Sequence, residues 1–68
     1  MEQGQISAEM LGDMRAEMAR HRIKQYELAR AIGVHRVFMN YMLNGRRPMS
    51  TEMGHRIAVE LEKLKAQA

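Results

Sequence analysis

Residues 25–45 read Gln-Tyr-Glu-Leu-Ala-Arg-Ala-Ile-Gly-Val-His-Arg-Val-Phe-Met-Asn-Tyr-Met-Leu-Asn-Gly. Two short helical patterns are joined by Gly33, and the second closes with Asn44-Gly45. The first starts near Lys24 or Gln25 and turns Leu28, Ala29 and Ile32 to one side. Gly33 then stands where a helix ends, a place where positive φ is free only to glycine. Helix residues advance by about 100° each, so Met39, Met42 and Leu43 share an inward face of the second helix, about His35 to Leu43. Val37, Tyr41 and Asn44 point the opposite way. Arg36 and Asn40 flank that outer face on one side, and Phe38 flanks it on the other.

Outward from this stretch, the rest reads as support. Ser7 is a good N-cap, and Glu9 suits the positive end of the helix dipole. Leu11, Met14 and Met18 recur at helical spacing, giving a first helix from about Ser7 to Arg20. Gly12 within it implies close packing or a mobile first turn. Arg20-His21-Arg22 ends this helix with cations, and Ile23 reads as a buried plug. After the basic loop Arg46-Arg47-Pro48, Ser50 caps a fourth helix with the stripe Met53, Ile57, Leu61 and Leu64. That helix is expected to end near Lys65. The fold class is therefore all-α: a small four-helix domain over residues 7–65, with a loose tail at 1–6 and a frayed end at 66–68.

The chain has 68 residues and no Cys. A chain this short buries roughly 60% of its unfolded surface, so an enclosed active-site pocket is a poor expectation. Disulfides and Cys-based zinc sites are excluded. No apolar run approaches the roughly 18 residues of a membrane span, and the start is not that of a signal peptide, so a cytoplasmic location is expected. Charge is segregated: residues 20–47 hold seven cations against Glu27 alone, a balance of +6, while the remainder balances at −3. A segregated basic surface suits a polyanion, because each neutralised phosphate releases condensed counterions.

Gln25, Ala29, Gly33, Val34, Met39, Met42 and Asn44-Gly45 together resemble the helix-turn-helix of the phage repressor and Cro family, also called the xenobiotic-response-element family. Residues 10–64 fit that family's helical layout. The resemblance implies a third helix lying in the major groove of duplex DNA. Gln25, Arg36, Val37, Asn40 and Tyr41 would then read base edges, and His35, Asn44, Arg46 and Arg47 would hold the backbone. Their chemistry suits those roles, since Arg can fork onto guanine and Val can meet a thymine methyl. Three departures stand out. His35 occupies the place of the usual Ser or Thr cap, which implies a weaker cap or a phosphate contact. Phe38 replaces a residue that is commonly small. Met18 and Leu43 replace a buried Arg–Glu pair, both at once, so no charge is stranded.

Other readings are weaker. The methionines Met10, Met14, Met18, Met39, Met42 and Met53 fall mostly on inward faces and read as core. His21, His35 and His55 form no i,i+4 pair, so no metal is expected. No nucleophile–base spacing or phosphate loop is present, so neither catalysis nor a cofactor is expected. The sequence reading is thus a DNA-binding transcription regulator, a Cro-like repressor acting as a homodimer on operator DNA. The rival is a protein-interaction module for a second regulatory protein, an antirepressor or antitoxin-like partner, with Phe38 and Tyr41 as anchors.

Overall fold

The computed structural model describes residues 4–67. Four helices follow one another: α1 (Ala8–Arg20), α2 (Gln25–Ile32), α3 (Arg36–Leu43) and α4 (Thr51–Gln67). No strand occurs among the described residues, whose sole bridge is an isolated antiparallel pairing of Gln5 with Ser50.

Local chemistry sets the boundaries. Ser7 accepts the Met10 N–H at 3.2 Å to start α1. Ser50 accepts the Met53 N–H at 3.0 Å to start α4. The first three helices end in the same way, with a left-handed residue that turns two N–H groups back onto the last carbonyls. At α2 this is Gly33 at φ 92°, with Val34 N–H bonded to Ala29 O at 3.0 Å. At α3 it is Gly45 at φ 78°, with Arg46 N–H on Tyr41 O at 2.8 Å. At α1 the left-handed residue is Arg22, at φ 58°, with Ile23 N–H on Met18 O at 2.8 Å.

The core lies where the helices meet. Leu28, Met39, Leu43 and Ile57 are fully inaccessible, and Leu11, Met18, Ile23, Ala29, Ile32, Met42 and Leu61 complete the buried stripes. α2 packs on both α3 and α4, while α1 packs on α3. Met18 and Leu43 are both buried and apolar, so no carboxylate or guanidinium enters the core there.

The structure departs from the sequence reading in several places. Residues 4–6 are not a loose tail; they form a strap along the chain that enters α4. Ile6 N–H meets Met49 O at 2.9 Å, and Thr51 N–H meets Gly4 O at 3.2 Å. These contacts satisfy backbone groups that would otherwise be left bare, and Ile6 packs against the core. Residues 1–3 lie outside the described part. α4 continues beyond Lys65 to Gln67, and Ala68 is again outside the described residues. Met10 faces solvent at 50% exposure, because it sits about 100° round the helix from Leu11. Met49, between the basic loop and the Ser50 cap, is buried, a place in the core that the sequence reading did not assign. Gly12 is not closely packed, since a Cβ there would meet only Arg15, at 3.8 Å. The tight glycines are Gly54, whose missing Cβ leaves the space that Ile6 fills, and Gly4, where a Cβ would stand 2.8 Å from Thr51 Oγ1.

Candidate nucleic-acid interface

Burial of Met39, Met42 and Leu43 fixes the rotation of α3, so the opposite face must look outward. On that face Val37 and Tyr41 stand 46% and 40% exposed, with Arg36, Asn40 and Asn44 exposed beside them. The first turn of α3 holds no acidic residue. Glu27, the one acid between residues 20 and 47, is occupied: its carboxylate accepts the Lys24 N–H at 2.8 Å. With seven cations against this one carboxylate, the segment that holds α3 keeps an excess of positive charge.

His35 caps α3 with its own ring. Nδ1 accepts the Val37 N–H at 3.1 Å, doing the work of a Ser or Thr oxygen. The cap expected to be weak or replaced by a phosphate contact is thus supplied by the His35 ring itself. This geometry requires an unprotonated Nδ1 and leaves Nε2–H as a donor.

Asn40 donates from Nδ2 to Gln25 Oε1 at 2.9 Å, which locks the start of α2 to the middle of α3. These two residues, with Lys24, Tyr26, Arg36 and Val37, line an open cleft of about 440 Å³. A second recess, about 460 Å³, is lined by His35, Val37, Phe38, Tyr41 and Arg47. Val37 belongs to both recesses. Arg47 folds back so that its Cζ lies 5.5 Å from the centre of the Phe38 ring. Asn44 Nδ2 donates to Asn40 O at 2.9 Å, which leaves one amide hydrogen free. Neither Asn44 nor Arg46 lines either recess; both sit exposed at the far end of α3.

The structure therefore brings Gln25, Arg36, Val37 and Asn40 to one cleft and His35, Val37, Tyr41 and Arg47 to the other. Sequence reasoning passed over Lys24 and Tyr26, which share the first cleft. The signal was present: an aromatic directly after Lys24 and Gln25, at the open N-terminus of α2. It also gave no role to Arg15 and Arg56. Arg15 donates to Leu43 O at the end of α3, and Arg56 donates to Ile32 O at the end of α2, at 3.1 Å. Each neutralises bare carbonyls at the negative end of a helix dipole.

A model of the Cro/C1-type HTH DNA-binding domain matches residues 13–62, well over half of the chain. The chain belongs to the Cro/C1-type helix-turn-helix DNA-binding family. It is accordingly a DNA-binding transcription regulator built on a small all-α fold. The span matched by this Cro/C1-type domain takes in α2 and α3 whole, the two helices that the sequence reading assigned to the helix-turn-helix. The matched span includes Arg15 and Arg56 but not the strap at 4–6 or the last turn of α4. No curated protein and no solved structure gives a significant match. Among the described residues no helix is long and apolar enough to cross a membrane, and no cluster of His and carboxylate side chains could hold a metal ion.

Proposed function

We propose that this Cro/C1-type domain is a sequence-specific repressor that occludes its operator with α3 in the major groove. The observation that carries this reading is the outward face of α3, exposed, cationic and free of carboxylates, held by an inward face that is wholly buried. Arg36 is suited to a guanine edge, Val37 to a thymine methyl, and Asn40 and Tyr41 to mixed donor–acceptor contacts. Gln25, tied to Asn40, reaches either a base edge or the adjacent phosphate. His35, Asn44, Arg46 and Arg47 hold the sugar-phosphate backbone on either side. A homodimer would place two copies of α3 about 34 Å apart on a palindromic site.

The protein-interaction reading is weakened by the state of Phe38. Its ring is half-buried and faced by Arg47 rather than standing free as an anchor.

Selection of bound sites from a random duplex pool tests the proposal. The expected product is a short motif repeated as a palindrome. Binding to that motif should fall log-linearly with salt, as counterion release requires. Failure to enrich any motif, or a response flat in salt, would remove the operator reading.

A further inference from the structure

We propose that Phe38 is a positioning residue for DNA contact. Its ring face holds the Arg47 guanidinium against the flank of α3, so that Arg47 meets the duplex pre-ordered and not as a mobile loop cation. This inference rests on the duplex-DNA reading above.

The backbone of Arg47 is fixed from both sides. Behind it, the left-handed turn at Gly45 directs the Arg46 and Arg47 N–H groups onto Tyr41 O, at 2.8 and 3.3 Å. Ahead of it, Pro48 confines Arg47 to extended backbone, and Met49 is buried in the core. From this backbone the side chain reaches over Phe38, and its Cζ stands 5.5 Å from the ring centre, within the range of about 6 Å for a cation–π contact. Among the described residues no carboxylate pairs with Arg47, so nothing acidic competes for it. Phe38 packs partly against the core, which holds the ring. The neighbouring Arg46 has the same chemistry and, among the described residues, no ring beneath it, which makes it an internal control. A side chain ordered before binding loses less entropy on contact, and this is how a residue that touches no DNA raises affinity.

The test uses the strongest duplex from the selection. Phe38→Leu keeps apolar volume but removes the ring face, and it should weaken binding by about two- to fivefold. In an Arg47→Ala background the same change should have no further effect, whereas in an Arg46→Ala background its effect should persist in full. Phe38→Tyr, which keeps the face, should bind as the parent does. Additive losses in the Arg47→Ala background, or failure of Phe38→Tyr to retain affinity, would overturn the proposal. If Phe38→Leu does not fold, the unmodified protein decides the matter. ¹⁵N relaxation should show Arg47 Nε–H more ordered than Arg46 Nε–H, and equal mobility would refute the ordering. A parent protein that binds no duplex at all sinks the DNA reading itself, and the relaxation comparison then still reports separately on the ring.

Discussion

Arg22 holds a conformation that L-residues avoid. Its φ of 58° closes α1, at a cost of roughly 1–2 kcal/mol for a side chain there. Arg22→Gly should therefore raise stability by about 1 kcal/mol, read as an increase in the urea midpoint at unchanged slope. Nothing in the triplet Arg20-His21-Arg22 announces this, because the usual left-handed signal is a glycine and none is there. Arg36 is the residue on which sequence preference is expected to turn. Arg36→Ala should cost about 1–3 kcal/mol on the selected site and relax preference at one base pair. Equal losses on selected and random duplex would make it a backbone contact instead. Single buried residues were legible where a helix repeated them, as with Leu28 and Ile32. Met49 was not, because it follows Pro48 outside any helical repeat and its backbone partner, Ile6, lies more than forty residues earlier in the chain.

At the scale of elements, α2 and α3 are eight residues each, too short to stand alone in water. Their faces were readable from spacing: Met39, Met42 and Leu43 are all at or below 2% exposure, as one helical face demands. The residues expected to point outward from α3, Val37, Tyr41 and Asn44, are exposed. What spacing could not show is how the helix ends are held. Arg15 and Arg56 are charged residues on other helices, and a charge carries no sequence mark of a distant carbonyl partner. Arg15→Leu should lower stability by about 1 kcal/mol through loss of the bond to Leu43 O, while leaving the outward face of α3 unchanged. Thermal unfolding together with amide exchange at the end of α3 would check this. Exchange quickened only elsewhere would show that the bond does not hold that end.

For the molecule as a whole, the far ends of α1 and α4 are joined by charge. Lys65 reaches Glu17 at 3.0 Å and Glu62 at 2.8 Å, and Glu17 also meets Arg20 at 2.7 Å. The hydrogen bond from Lys65, more than any other cause, holds the Glu17 carboxyl below its ordinary value of 4.5. The bonds to Glu62 and then Glu17 hold the Lys65 ammonium above its ordinary 10.5. Glu17 therefore contributes stability above about pH 4.5 that is lost as pH falls through its depressed value. Lys65 contributes stability below about pH 10.5 that is lost as pH rises through its raised value. A series of urea midpoints should be level between those limits with respect to this pair and decline beyond each. Lys65→Met should make the acid limb shallower, and an unaltered limb would exclude the pair as its source. The strap gives a second whole-molecule expectation. Gly54→Ala drives a methyl into Ile6 and should cost about 1–3 kcal/mol, partly recovered by adding Ile6→Ala. Independent, additive losses would mean that the two residues do not compete for one space.

That strap also sets an order of assembly. Thr51 Oγ1 and Gly4 O meet at 3.2 Å across 47 positions of sequence, whereas α2 and α3 meet across a turn of a few residues. Loop closure taxes distant pairings most, so the helix pair can gather before the strap is laid down. Read backwards, the same path means that the strap is the first part to lift. Lifting residues 4–6 would free Met49 O and the Thr51 N–H and loosen the entry to α4, while the turn that joins α2 to α3 makes no bond to the strap.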